Sequence, residues 1–260
     1  MESGKKNNLM NLICMVLPAA AILLIMTGWI SFSILNPRLM PGPPEVAVRF
    51  IKTFTKPVAN TILLGHIWAS LRRVLIGLFF AWVAGIGLGV LIGWNKKAKA
   101  LLGSVLEVLR PIPPIAWIPL VIMWFGIGEF SKVFIVFIGT IFGLIVNTSA
   151  GIHLVDQINV DVGRIFGGNQ RQILTDIVVP TALPSIFAGI RTSVSSGWTT
   201  VVAAEMLGAK LGLGSLVTKG WQGNDMALVL VAVISIAAIG ALLSALLSKL
   251  EKVVCPWNNI

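Results

Sequence analysis

Four ionisable residues stand within or beside long apolar runs: Glu107, Arg110, Arg191 and Glu205. A charge at the centre of a membrane helix costs about 2.5 to 3.5 kcal/mol by a modest estimate, so each needs a partner, a wet pathway or an interface. Glu107 and Arg110 are three apart and share a helical face, the spacing of a structural ion pair; the alternative is a place along a solute pathway. Glu205, near one end of its run, reads as an interfacial carboxylate or a pathway charge. Arg191 is expected to snorkel to the inner surface. His66 and His153 lie far apart without a second ligand type at metal spacing, so no metal site is expected. No nucleophile stands beside a base, which argues against an enzyme. The sequence contains no Gly-x-x-x-x-Gly-Lys-Ser/Thr phosphate loop, so any ATP is hydrolysed by another chain.

The elements around these residues are those of an integral membrane protein. Hydrophobic residues make up 56% of the 260 and charged residues 12%, far from the balance of a soluble domain. Strong apolar segments cover 12–34, 74–94, 115–127, 133–152, 186–206 and 227–247, which predicts an all-α protein of about six transmembrane helices. The first is too long for the apolar core of a signal peptide and is expected to be a retained span. The third is short unless its helix begins near Ala100 and is broken by Arg110-Pro111-Ile112-Pro113-Pro114, since each proline removes a donor and disfavours α geometry before it. Trp29, Trp94, Trp124 and Trp221 fit interfacial anchors. Cys14 and Cys255, near opposite ends, imply no disulfide framework.

The net charge of +10 does not point to nucleic acid, because the cations are scattered between apolar runs (Lys5, Lys6, Arg72, Arg73, Lys96, Lys97, Lys99) instead of gathered on one face. The bilayer and its anionic lipids are the expected counter-charge. Lys5, Lys6, Lys249 and Lys252 place both termini inside, with the connectors carrying Lys96 and Arg164 on the same side. The first connector conflicts with that bias: it holds Arg38, Arg49, Lys52, Lys56, Arg72 and Arg73 yet would face outward. Within it, Glu45 to Phe54 has the spacing of an amphipathic helix lying on the membrane.

Two stretches stand out. Gly77, Ala81, Gly85, Gly89 and Gly93 fall at successive i+4 positions, so one helical face is almost bare and another backbone can approach it; whether that helix belongs to the same subunit or to a dimer partner is open. The connector 153–184 predicts a helical turn from Asp161 to Phe166, a Gly167-Gly168-Asn169 break suited to positive φ, and a second short helix ended by Pro180. Ile165, Phe166, Ile173, Leu174 and Ile177 form the apolar side of a knob whose Arg164, Arg171 and Asp176 stay solvated. Such a knob fits a groove in a soluble partner.

This connector resembles the EAA loop of ABC importer permeases, in which Glu-Ala-Ala, three residues, Gly, nine residues and Ile-x-Leu-Pro follow in order. Asp161, Val162 and Gly163 stand for Glu-Ala-Ala, Gly167 for the Gly, and Ile177, Val179 and Pro180 for the close. Spacing is kept while Asp replaces Glu, Val-Gly replaces Ala-Ala and Val179 replaces Leu. Further stretches are similar to the nitrate, sulfonate, taurine and bicarbonate branch: Leu109 to Pro114, Trp124 to Glu129, Ala203 to Gly208, Ala182-Leu183-Pro184 and Gly189-Ile190-Arg191. The likeness runs from about Pro41 to Leu250.

The resemblance implies a permease subunit forming the pathway for a small anionic solute, with a cytoplasmic coupling loop between spans four and five. It implies a cytoplasmic ABC ATPase in two copies, a second permease copy as homodimer partner or else a related permease, and an extracytoplasmic solute-binding protein. No cofactor is expected in this chain; ATP and Mg belong to the ATPase. The chain divides into a first helix (1–35), a connector (36–73), a permease core (74–250) and a tail (251–260). The rival reading is a secondary transporter or channel driven by an ion gradient, which would show paired acids within spans or an inverted repeat; neither stands out.

Overall fold

The computed structural model describes residues 2–37 and 39–256. Side chains before Leu17, those of Lys5, Lys6 and Cys14 among them, lie outside the description, as do Arg38 and the tail beyond Pro256. The described chain is helical: α1 (Glu2–Leu35), α2 (Pro43–Thr55), α3 (Leu63–Trp94), α4 (Lys96–Leu109), α5 (Ile118–Phe125), α6 (Glu129–His153), α7 (Gln157–Ile165), α8 (Gln170–Gln172), α9 (Val179–Met206), α10 (Leu213–Gln222) and α11 (Met226–Val254). A 3₁₀ turn, Pro114–Trp117, precedes α5, and a π-helical turn, Ile173–Val178, joins α8 to α9.

Against the expected six spans, four helical stretches among the described residues are long and apolar enough to cross a membrane: Leu63–Trp94, Glu129–His153, Gln170–Met206 and Met226–Val254. The segment from Lys96 to Phe125 counts as a fifth if its two halves are one span, for they meet at 90°. The bend falls at Arg110 to Pro113, where consecutive prolines withdraw donors from the ladder. In α1, whose side chains are described only from Leu17 on, the stretch Ala20–Leu35 is apolar and helical.

α3 begins at Leu63 rather than Val74, so Arg72 and Arg73 are helical. A tight turn at Val58 to Thr61, with Ala59 and Asn60 at positive φ, redirects the chain into it. The core of the bundle is α6 between α3 and α9. On α6, Val136, Leu144, Thr148 and Ile152 form a ridge, and Cβ atoms added at Gly77, Gly85, Gly89 and Gly93 would lie 2.7, 3.0, 2.5 and 2.6 Å from those side chains respectively. The bare face of α3 thus meets α6 of the same chain, with Ala81 fully buried between. Small residues repeat the device on α9, where a Cβ on Gly189 would lie 2.9 Å from Asn147 and from Leu144. In hydrocarbon, where association gains little from the hydrophobic effect, such close backbone approach is what holds helices together.

The amphipathic α2 turns Val46 and Thr53 inward and packs against α11. Arg49 ties it there through Asp225 at 2.7 Å, and Asp225 also caps α11 by accepting from Leu228 N–H.

Candidate functional site

The connector folds as a knob. α7 opens on Asp156, whose carboxylate accepts from Ile158 N–H at 2.9 Å, and it closes in a Schellman motif. Gly168 N–H donates to Gly163 O and Gly167 N–H to Arg164 O, both at 3.0 Å, which requires the φ of +80° that Gly167 adopts. The chain then restarts at once: Asn169 and Gln172 form a reciprocal capping box. Arg164 pairs with Asp161 at 2.9 Å with both about half exposed, a contact worth little.

The apolar residues of the knob divide into two groups. Ile173 is buried, Leu174 and Ile177 are partly so, and Gly163 makes room for them, since a Cβ there would lie 2.6 Å from Ile177 Cδ1. Ile165 and Phe166 are 82% and 85% exposed, beside the groove formed by Val162, Phe166, Gly168, Gln172 and Asp176. One group therefore fixes the knob to the bundle and the other faces away from it.

Pro180 does not end a helix, contrary to expectation. The helix runs on through α9 because the preceding turn has widened: Val179 N–H reaches back five residues to Leu174 O, and Pro180 sits in the first turn of α9, where a missing N–H is tolerated. Thr181 Oγ1 donates to Ile177 O at 2.6 Å across the same turn.

The far end of α9 holds a cluster that sequence reading did not assemble. Arg73, 3% exposed, donates from Nη1 to Glu205 Oε1 at 2.6 Å and to Leu211 O at 2.7 Å. Its other edge forks onto Glu129, Nε to Oε2 at 2.8 Å and Nη2 to Oε1 at 2.7 Å. Glu205 is buried rather than interfacial; its Oε2 accepts from Ser70 Oγ at 2.8 Å and Gly214 N–H at 3.0 Å. Ser70 Oγ in turn accepts from Leu213 N–H. His66 completes the set, accepting from Gly212 N–H at Nδ1 (3.1 Å) and donating from Nε2 to Val58 O (2.9 Å), the tautomer these partners require. Gly212 has φ +132°, and a Cβ there would overlap the Glu205 carboxyl. The cluster ties α3, α6, α9 and the start of α10 together. A signal was present: His66, Ser70 and Arg73 fall at i, i+4 and i+7, a polar stripe on an otherwise apolar helix.

These pairs also bear on the basic first connector, whose Arg49, Arg72 and Arg73 all have carboxylate partners. Arg72 and Lys132 share Glu129 at 3.4 Å. Glu107 and Arg110 correct the expected ion pair: Arg110 keeps helical backbone angles as the cap of α4, but both side chains are exposed, where pairing gains little, and they form no salt bridge among the described residues. Arg191 pairs with Glu251 of α11, a partner the snorkelling reading did not supply.

Long apolar helices, one broken segment and a separate knob give the described chain the make-up of a multi-pass membrane protein. The chain belongs to the family of binding-protein-dependent transport system inner membrane components, which it matches over residues 85–254. It is 31% identical to the taurine transport system permease protein TauC of Escherichia coli, over 94% of this chain and 90% of that protein. Against the bicarbonate transport system permease protein CmpB of Synechococcus elongatus it is 30% identical, over 96% and 93%. Among solved structures, an inward facing conformation of the MetNI methionine ABC transporter aligns with a TM-score of 0.66 and 19% identity, covering 74% of this chain and 95% of that one, a likeness of fold. The chain is thus an ABC transporter permease subunit of the taurine, sulfonate and bicarbonate branch.

Proposed function

We propose that this chain forms the membrane pathway of an ATP-driven importer for a small anionic solute and is driven through the knob between Gln157 and Pro180. The observation that carries the reading is the division of the knob: Ile173 anchors it to the bundle while Ile165 and Phe166 stand exposed on a rigid, doubly capped turn. Nothing in the fold of this chain covers those two side chains, and a groove on a cytoplasmic ATPase would. ATP and its magnesium ion sit in that partner, present in two copies, beneath two copies of the permease. A solute-binding protein delivers cargo from the other side.

Six crossings are consistent with this scheme: α1, α3, the bent α4–α5 segment, α6, α9 and α11, with both termini and the knob on the cytoplasmic side. α2 and α10 then lie at the outer surface. From Val179 to Glu205 the helix α9 rises about 39 Å at about 1.5 Å per residue, enough to join the knob to the outer charge cluster as one stiff element. Closure of the ATPases pushes on the knob, and α9 carries the displacement outward. A solute with an oxyanion group is favoured because the named relatives belong to transport systems for taurine, which carries a sulfonate, and for bicarbonate.

The test is co-purification. Phe166→Ala in the co-expressed importer should leave permease levels in the membrane unchanged and reduce the ATPase recovered with it severalfold. Recovery at the native level would overturn the docking assignment.

A further inference from the structure

A second pocket lies at the knob end of the bundle, between the inner ends of α3 and α6 and the inward side of α7, with a volume of about 480 Å³. Its floor is apolar, made by Trp94, Ile152, Val155 and Val160. Its rim is polar: Lys96 from the start of α4, His153 from the end of α6, Gln157 and Arg164 from α7, and Gln170 from α8. The fold brings Lys96 of α4 to the consecutive helices α6, α7 and α8 that carry the other four, and all five can donate hydrogen bonds. No carboxylate lines the pocket. Beside the pocket, Asp156 accepts from Ile158 N–H, and Asp161 Oδ1 accepts from both Arg164 Nη1 and Gln157 Nε2, which leaves Arg164 Nε and Nη2 without a partner among the described residues. Lys99 lies one turn beyond Lys96 and adds positive potential at His153.

An apolar floor under a cationic, acid-free rim suits a ligand with a phosphate head and an apolar body. We propose that this pocket binds the phosphate of an anionic phospholipid or of a free phosphate ester, held by Lys96, Arg164 and His153. Basic pockets between membrane helices on the cytoplasmic side are where such headgroups bind, and Trp94 at the end of α3 places the floor at interfacial depth. A ligand there bridges the knob to α3 and α6, so its occupancy sets how freely the knob moves. The proposal rests on the cytoplasmic placement of this end given above, yet it is read on the permease alone, so its failure leaves the Phe166 docking test untouched and the reverse holds too.

The full-length chain, purified in uncharged detergent, is titrated with phosphatidylglycerol, with phosphatidylcholine and with inorganic phosphate, and bound lipid is counted by native mass spectrometry. Phosphatidylglycerol is expected to bind more tightly than phosphatidylcholine, and Lys96→Ala to weaken it about fivefold, the effect of one cation near an anionic headgroup. Lys96→Arg should restore binding, and Lys97→Ala, outside the lining, should not alter it. Competition by millimolar inorganic phosphate identifies a free phosphate as a sufficient ligand; retention of phosphatidylglycerol against it identifies the lipid. Equal binding of both lipids, unchanged binding in Lys96→Ala, or an equal loss in Lys97→Ala would overturn the proposal.

Discussion

Arg73 on α3 and Glu205 on α9 are 132 residues apart in sequence and 2.6 Å apart in the fold, both withdrawn from solvent. Few contacts in the protein join more distant parts of the chain with shorter geometry. Three further donors or acceptors, Ser70, Leu211 and Gly214, complete the shell, so the pair is satisfied as a buried pair must be. Because Glu129 also grips Arg73 but is half exposed, the two carboxylates are not equivalent: Glu129 can turn to water and Glu205 cannot.

Removing one member of the buried pair is therefore expected to cost more than removing both. Arg73→Ala leaves the Glu205 carboxylate uncompensated, a loss of about 3–5 kcal/mol, and should lower the midpoint of thermal unfolding in detergent sharply. Arg73→Met combined with Glu205→Leu fills similar volume without charge and should recover most of that loss. Glu129→Gln, at the exposed edge, should shift the midpoint least. A double variant no more stable than Arg73→Ala would show that the pair acts through something other than its charges.

Two glycines of α3 two residues apart give a cleaner comparison. A Cβ on Gly89 would lie 2.5 Å from Thr148 Cβ, whereas one on Gly87 meets nothing within 4 Å. Gly89→Ala should cost about 1–3 kcal/mol by overpacking against α6. Gly87→Ala should be neutral or stabilising by up to about 1 kcal/mol, since alanine gives up less backbone freedom in a helix. Equal effects in unfolding assays would mean that α3 and α6 are not in the register described.

The family and the membrane character were legible because they are written in composition, periodicity and local spacing. The i+4 register from Gly77 to Gly93 is local, and so is the Gly167-Gly168-Asn169 break that becomes a Schellman motif followed by a capping box. What escaped depends on which helices become neighbours. Glu205 reads in sequence as an interfacial carboxylate because its partner lies on another helix, and Arg73 falls in a connector because the strong apolar run begins only at Val74. Glu107 and Arg110 differ the other way: their spacing suits a pair, but both side chains are exposed, where pairing gains little. Pro180 is the most local miss, since a proline normally ends a helix and only a π turn in front of it lets the helix run on.

The anchoring half of the knob predicts a change confined to that region. Ile173 is 1% exposed, and truncating a buried isoleucine to alanine costs about 2–5 kcal/mol. Ile173→Ala should raise amide hydrogen exchange across residues 157–172 while α3 and α6 keep their protection. Ile165→Ala, at an 82% exposed position, should leave exchange in the free permease unchanged. Protection of the knob in Ile173→Ala equal to that of the native chain would place its anchor elsewhere.

Gly167 tests whether the knob must be rigid or merely present. Its φ of +80° lies in the left-handed region, while the space around it is open, so a substitution there strains the backbone without a clash. Left-handed geometry costs an ordinary residue about 1–2 kcal/mol and asparagine less. Gly167→Val is thus expected to unwind the Schellman turn, moving Phe166 relative to Ile173. In vesicles reconstituted with the ATPase and the binding protein, solute uptake should fall severalfold while ATP hydrolysis continues, and the permease should remain in the membrane at the native level. Gly167→Asn, which keeps the turn, should retain most of the uptake. Because the two variants add side chains of similar size to the same open space, a difference between them isolates backbone geometry from bulk. Equal and undiminished uptake in both would show that the turn at Gly167 is not part of the coupling path.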